Sequence, residues 1–285
     1  MFKNKGCIIG LGLFVVMAIL FFMILDLYAD LAWFETQGVT SVLWKRIASE
    51  WVLFMAAWVV ASAVLAGNWL LARRLAGVGQ MTVPWLRQRR TQHQITAEPT
   101  TRVVAARVAD AILAVAAVGL GLLFALPARG MWMTVLRYLN AASFGQTDPV
   151  LGRDLSYYVF DLPWLNFLQG WLLWLVLLSL IGAALVYLAS YSAERLAAQV
   201  QIVGERQPWL RLSRSAERHL LILGAIALGL IAWGYRLNMA RLLYSTTGAS
   251  YGASYTDVHA RLPVMTLLAI IAPLGAVILL VSMFV

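Results

Sequence analysis

The chain has 285 residues, of which 62% are hydrophobic and only 12% are charged, and its formal net charge is +9. Soluble domains average about 45–50% apolar and about 25% charged residues, so the composition excludes an ordinary soluble fold. The positive charge lies between long apolar blocks, which is typical of the loops that orient a membrane protein. We therefore expect no nucleic-acid partner.

Six apolar runs are long enough to cross a hydrocarbon core about 30 Å thick as helices. They cover residues 6–27, 51–71, 108–126, 164–187, 219–235 and 262–285. The runs lack the alternation of a membrane β-barrel, so helices are the expected spanning elements. The predicted fold class is all-α, a polytopic integral membrane helical bundle with six transmembrane helices in a single domain, 1–285.

The loops between these runs differ in basic charge. Loops 72–107 and 188–218, together with Lys3 and Lys5, hold 14 of the 22 Lys and Arg residues. Loops 28–50, 127–163 and 236–261 hold the other eight. The positive-inside rule therefore predicts that the first set and the N-terminus are cytoplasmic and that the second set is outside. Besides the bilayer itself, anionic lipid is the expected partner of the cytoplasmic loops.

Two loop segments have helical character. Residues 131–142, in the second outer loop, predict a short amphipathic helix at the membrane surface, and residues 190–215 predict an interfacial helix. No internal repeat is evident, so the sequence does not favour an inverted-repeat transporter.

The span centres contain no ionisable residue, and the charges near them lie at span ends. Asp110 follows Arg107 by three residues at the predicted inner end of the third span. This spacing puts both side chains on one helix face, which predicts an ion pair.

The outer loops contain the polar residues that are the strongest candidates for a functional site. They form one candidate outer-loop polar network of Asp148, Arg153, Asp154, Tyr255, Asp257, His259 and Arg261. Asp148, Asp154, Asp257 and His259 could also be read as a metal or acid–base cluster, but their spacing matches no known motif. The sequence therefore predicts no cofactor, no metal site and no catalytic residue.

Three stretches of the sequence together resemble a known family. They are Trp33-Phe34-Glu35 with Trp44, Thr147-Asp148-Pro149 with Gly152-Arg153-Asp154, and Gly252-Ala253-Ser254-Tyr255-Thr256-Asp257 with Leu262-Pro263. In order and spacing the chain is similar to the membrane region of uncharacterised protein family 0182.

The resemblance implies a multi-pass protein of the bacterial plasma membrane and brings no established reaction. It also implies seven spans followed by a large extracytoplasmic region, whereas this sequence ends at Val285 near its sixth span. We therefore expect a chain truncated before the seventh span and the outer domain.

Three functions remain open at this point. The first is a structural or assembly anchor, whose outer loops are a docking platform for an extracytoplasmic domain or an envelope protein. The second is a transporter or channel component. The third is a membrane enzyme with its site at the outer interface, around Asp148, Asp154, Asp257 and His259.

Overall fold

The computed structural model describes residues 5–78, 99–199, 213–244 and 252–284, and these residues are predominantly helical. The α-helices of the described ranges are α1 (Lys5–Thr36), α2 (Thr40–Val78), α3 (Pro99–Gly130), α4 (Trp132–Leu139), α5 (Leu162–Gln199), α6 (Arg214–Arg241) and α7 (Leu262–Val281). Two π-helical turns, Tyr157–Asp161 and Asp257–Arg261, precede α5 and α7.

The helices confirm the six predicted spans. The described residues contain six helices long and apolar enough to cross a membrane, within α1, α2, α3, α5, α6 and α7. Each contains most or all of one predicted apolar run, so the chain fits a multi-pass membrane protein. Its orientation in the bilayer stays a prediction, and "inner" and "outer" below follow the charge rule.

The predicted loop helices have different outcomes. Helix α4 (Trp132–Leu139) forms where the sequence predicts an amphipathic surface helix. The interfacial helix expected over 190–215 is not a separate element in its described part. Residues 190–199 continue α5 because no proline or glycine interrupts them, and 200–212 lie outside the described residues.

The chain divides into two compact units, Met1–Leu53 and Phe54–Val285. In the first unit, a glycine two residues beyond Thr36 terminates α1. Gly38 has φ +69°, its N–H bonds the Glu35 carbonyl at 3.0 Å, and the Val39 N–H bonds the Phe34 carbonyl at 3.0 Å. This pair of bonds is a Schellman motif, which satisfies the last carbonyls of α1 and turns the chain into α2.

An arginine links the polar groups of this first unit. The Nε of Arg46 lies 2.9 Å from Glu50, and its guanidinium also lies 3.8 Å from Asp30. The pair on α2 has the four-residue spacing that places side chains on one helix face. Arg46 therefore connects α2 to the end of α1 within this unit.

The core of the second unit consists largely of small residues. One buried cluster joins α2, α3 and α5 through Ala61, Leu65, Ala117 and Leu175. Gly121 on α3 packs against Ser62, and Gly182 on α5 packs against the Trp69 ring. Small residues allow close helix approach, which favours helix association where lipid surrounds the bundle.

Proline explains both π turns. Pro163 and Pro263 are the second residues of α5 and α7 and have no N–H to donate. Each leaves a carbonyl of the preceding turn without its usual partner, and the turn widens. The Leu162 N–H bonds the Tyr157 carbonyl, and the Leu262 N–H bonds the Asp257 carbonyl, five residues back in each case.

Candidate functional site

One carboxylate organises the segment 140–156, which we call the Asp148 loop. Asp148 is only 4% exposed. Its Oδ1 accepts the N–H groups of Val150 and Leu151 at 2.8 and 2.6 Å. Its Oδ2 accepts the Arg153 N–H at 2.9 Å and the Tyr158 hydroxyl at 2.6 Å. Aspartate followed by proline suits such a turn, because the carboxylate bonds its own chain a few residues later.

These bonds change the ionisation of Asp148. Burial opposes its charged form, but the donors from Leu151, Tyr158, Arg153 and Val150 outweigh burial and hold the pKa of the carboxyl below its usual value. Hydrogen bonds to the charged form act in this direction. Asp148 is therefore an ionised structural acceptor at neutral pH.

Asp154 stabilises the other side of the same loop. Its carboxylate accepts the Ser143 hydroxyl, the Ser156 N–H at 2.8 Å and the N–H groups of Phe144 and Gly145 at 3.2 and 3.1 Å. The Ser143 hydroxyl, followed by Ser156, holds the pKa of Asp154 well below its usual value. Both carboxylates thus bind the backbone of their own loop.

Arg153 makes a different contact from its acidic neighbours. Its guanidinium lies over the Tyr157 ring, 4.2 Å from the ring centroid. This is a cation–π contact on an exposed surface. Arg153 therefore ties the Asp148 loop to the first π turn.

The remaining candidates lie in residues 252–261, which we call the Asp257 turn. Asp257 is 1% exposed, and its carboxylate accepts the N–H and hydroxyl of Ser254 at 3.0 and 2.8 Å. The Ser254 hydroxyl in turn accepts the Asp257 N–H at 3.3 Å, so the two residues form a reciprocal cap. The other carboxylate oxygen lies 3.0 Å from the Arg261 guanidinium.

Two aromatic rings stack on the outside of this turn. The rings of Tyr255 and His259 are 3.9 Å apart between centroids, with 20° between their planes. His259 Nδ1 lies 3.0 Å from the Tyr255 carbonyl, which fixes the imidazole against its own helix turn. Tyr255 is 77% exposed, so the stack presents an aromatic face outward.

The seven outer candidates form two local networks rather than one. Among the described residues, no hydrogen bond or ion pair joins the polar groups of the Asp148 loop to those of the Asp257 turn. The loop instead packs toward the end of α6 through Leu151, which contacts a buried cluster that includes Leu237. In the π turn that follows the loop, the Tyr158 ring lies 6.0 Å from the ring of Tyr244, just after the end of α6. Tyr158 also belongs to a buried cluster with Leu237 and Ala240.

The inner-end ion pair differs from the expected one. The sequence predicts that Asp110 pairs with Arg107, but its Oδ1 lies 3.0 Å from Nε of Arg73 on α2. Within the described ranges, Arg107 forms no ion pair with Asp110. The three-residue spacing permits the expected pair, but neighbouring α2 brings another guanidinium within reach.

A buried polar cluster was missed by sequence reasoning. His219 on α6 lies 2.9 Å from the Tyr187 hydroxyl through Nδ1 and 3.2 Å from the Asn68 amide oxygen through Nε2. The three residues come from α6, α5 and α2, so their meeting depends on helix adjacency. The one feature of the sequence that could have indicated this cluster is the position of its polar residues near the ends of the predicted spans.

The described residues contain no group of three or more His, Cys, Asp or Glu side chains that could hold a metal ion. The carboxylates of Asp148, Asp154 and Asp257 all accept hydrogen bonds from their own segments. This geometry orders loops, and it leaves these acids with structural partners.

The comparison with known proteins gives one family. Residues 7–285 match the sequence model of a family described as uncharacterised protein family UPF0182. No solved structure matches the chain.

Curated relatives share the sequence over nearly the whole chain. A UPF0182 protein of Synechococcus sp. (strain JA-2-3B'a(2-13)) is 34% identical over 272 residues, covering 94% of this chain and 26% of the relative. A UPF0182 protein of Desulforamulus reducens is 30% identical, with coverage of 96% and 30%. One from Frankia casuarinae is 36% identical, with coverage of 90% and 24%. The chain thus spans less than a third of the length of these relatives.

Proposed function

The chain belongs to the uncharacterised protein family UPF0182, and on that premise we propose that it is a multi-pass anchor of the bacterial plasma membrane. Its Asp148 loop and Asp257 turn form a docking platform on the outer side. The docked partner is an extracytoplasmic domain or an envelope protein. No chemical step is assigned to the anchor.

The observation that carries this proposal is an ordered loop with exposed apolar side chains. Asp148 and Asp154 fix the backbone, while Phe144 is 50% exposed and Val150 and Leu155 of the same loop are also exposed. Ordering before binding reduces the entropy lost on association, and exposed aromatic side chains are favoured anchors of interfaces. The Tyr255–His259 stack adds a second aromatic face of the same kind.

The length of the relatives supports a large occupant. The unmatched part of these relatives is more than twice as long as the matched part, and the family resemblance implies a large extracytoplasmic region. An extracytoplasmic polypeptide is therefore the occupant we expect. The positive-inside rule supports the outer placement of the platform.

Site-specific photo-crosslinking in native membranes tests the platform. The photo-reactive amino acid p-benzoylphenylalanine replaces Phe144, Tyr255 or, as a matched control at the predicted inner end, Phe284. We expect positions 144 and 255 to crosslink the same extracytoplasmic polypeptide segment and position 284 to miss it. Crosslinks to lipid alone, or the same product from all three positions, would contradict docking.

A second part of the experiment tests whether docking requires the ordered backbone of the Asp148 loop. Asp148→Ala should strongly lower the crosslinking yield at position 144, because the loop loses its central acceptor. Arg137→Ala, which removes an exposed charge from nearby α4, should leave the yield within about twofold, as for most surface substitutions. An unchanged crosslinking yield with Asp148→Ala would mean that the partner does not require the ordered loop for binding.

The buried cluster of Asn68, Tyr187 and His219 favours a second candidate function, a transporter or channel component. His219 and Tyr187 lie at the ends of their predicted apolar runs, and a buried ionisable group beside apolar spans is costly and can mark a pathway. A cysteine at Ser179, which is fully buried on α5, would test for water with a membrane-impermeant thiol reagent on a Cys7→Ser background. Val115→Cys, on an exposed face of α3, is the matched control.

The two functions predict opposite labelling. A transporter requires that Ser179→Cys reacts while Val115→Cys, facing lipid, stays protected. Protection at both positions supports a packed anchor. The labelling result is independent of the crosslinking result, so each proposed function can be contradicted separately.

A further inference from the structure

A small polar pocket lies between α2 and α3 at their predicted inner ends. It is lined by Leu70, Arg73, Arg74 and Asp110 and has a volume of about 230 Å³. Arg73 and Arg74 come from the last turns of the α2 span, and Asp110 comes from the first turn of the α3 span. The pocket is therefore placed where the apolar spans give way to charged residues.

The geometry of Arg73 leaves donors available for a ligand. Its Nε lies 3.0 Å from Asp110, which holds the guanidinium between the two helices. Its terminal nitrogens form no hydrogen bond to any described residue. A guanidinium held in this way can give two parallel hydrogen bonds to one phosphate group.

The charge around the pocket favours an anion. Arg73, Arg74 and Arg107 provide three positive charges against the single carboxylate of Asp110, a net local charge of +2. In the described part of the chain, neither Arg74 nor Arg107 has a carboxylate partner. Asp110 is half exposed, so it orients Arg73 without cancelling the attraction.

The surroundings are apolar as well as cationic. Leu70 lines the pocket, and Leu71, Val108 and Ile112 are exposed on the adjoining helix turns. An anionic head above an apolar chain matches this arrangement better than a free ion does. Basic pockets between transmembrane helices are a general mode of recognising lipid headgroups.

We infer that this pocket binds the phosphate group of an anionic glycerophospholipid, with its acyl chains along α2 and α3. Arg73 and Arg74 contact the phosphate, Asp110 positions Arg73, and Leu70 contacts the start of an acyl chain. Arg107 adds long-range attraction. The inference needs only the helix arrangement and is independent of the docking platform.

Native mass spectrometry of the purified chain tests the site. The protein in mild detergent is titrated with phosphatidylglycerol or phosphatidylcholine carrying identical acyl chains. We expect one phosphatidylglycerol to bind about tenfold or more tightly than phosphatidylcholine, since each arginine near a lipid surface contributes about fivefold. Equal binding of the two lipids would overturn the inference.

Paired variants locate the site. Arg73→Gln/Arg74→Gln should weaken phosphatidylglycerol binding about 25-fold, or about fivefold per charge, and weaken phosphatidylcholine binding much less. The control Arg137→Gln/Arg236→Gln removes two exposed arginines toward the opposite helix ends and should change binding less than twofold. Equal loss in both pairs would show an effect of net charge and no site.

A further variant separates anion binding from a purely structural ion pair. Asp110→Asn keeps both arginines and raises the local charge, so phosphatidylglycerol binding should hold or strengthen. A loss matching that of the arginine pair would overturn the inference. Circular dichroism and gel filtration identify any variant that fails to fold. If a variant does not fold, the preference of the unmodified chain for phosphatidylglycerol over phosphatidylcholine tests the inference.

Inorganic phosphate distinguishes a lipid from a free anion. At 10 mM phosphate (about ten thousand times a micromolar protein concentration), we expect bound phosphatidylglycerol to remain because the acyl chains contribute to binding. Complete displacement by phosphate would show a site for the free ion and would overturn the lipid assignment.

Discussion

The Asp148 loop and the Asp257 turn lead into α5 and α7 through the same backbone geometry but hold it with different chemistry. The Asp148 loop is followed by the first π turn, and the Asp257 turn ends in the second. Leu-Pro comes directly after each π turn, and the two Leu-Pro pairs are 100 residues apart. Asp148 lies ten residues before Tyr158 and gathers donors across that distance. Asp257 lies inside its π turn, and among the described residues its carboxylate bonds Ser254 and Arg261 alone.

The difference shows what each sequence feature controls. Proline near the start of a helix determines the widened turn, because either helix loses the same N–H donor. The position of the carboxylate determines how much chain is ordered ahead of the helix. The Asp148 loop should therefore respond to mutation as a unit, whereas the Asp257 turn should respond locally.

Asp148→Ala is expected to have the largest effect. It leaves the Tyr158 hydroxyl and three backbone N–H groups without their acceptor, a cost of about 3 kcal/mol. The Val150 and Leu151 amides should then exchange hydrogen about 100-fold faster, while amides of the Asp257 turn keep their rates. Asp161→Ala is the control, since this carboxylate bonds no described residue of the loop. Faster exchange in both regions would contradict their independence.

Acid should affect the Asp148 loop through the same carboxylate. The pKa of Asp148 is lowered in the fold, so its stabilisation is fully present above the unfolded pKa, about 3.9, and is lost as pH falls through the lower folded value. A nitroxide at Val150→Cys, on a Cys7→Ser background, should keep its mobility from pH 8 to 5. Mobility should rise below about pH 4. A rise near pH 6 would point to a different group.

Ser254→Ala should have a smaller and local effect. It removes the hydroxyl that caps the Asp257 N–H and donates to the Asp257 carboxylate. Losing such a cap costs about 1 kcal/mol, or about fivefold faster exchange at the Val258 amide. The Leu151 amide should not change. Ser254→Asn, which supplies another capping oxygen, should recover most of the protection.

Arg153→Gln is expected to have the smallest effect. It removes a cation from the exposed face of the Tyr157 ring, worth about 0.5 kcal/mol. The Asp148 loop should be destabilised about twofold by amide exchange, and Arg153→Lys should lie between the two. A tenfold loss would mean that Arg153 has a partner beyond Tyr157.

The sequence predicts the six spans and the short helix α4 because apolar length and periodicity are local properties. It also contains the Leu-Pro pairs that accompany both π turns, but no repeat was recognised because the residues before them differ.

Partners from other helices were beyond the reach of sequence reasoning. Asp110 was expected to pair within its own helix, and the structure gives it Arg73 because α2 lies beside α3. His219 meets Asn68 and Tyr187 for the same reason. The loop sequence alone made Asp148 a candidate site residue. Its buried partner, Tyr158, could not be predicted, because the orientation of that ring depends on the π turn.

Hydroxyl-radical footprinting of the outer aromatic residues tests the docking platform most directly. Phe144 and Tyr255 are exposed in the chain alone, and Phe284, 87% exposed at the predicted inner end, is the internal reference. Oxidation rates are compared between native membranes and purified protein. The proposed platform predicts that Phe144 and Tyr255 are protected several-fold in native membranes while Phe284 is unchanged. Equal oxidation of all three residues in both preparations would contradict it.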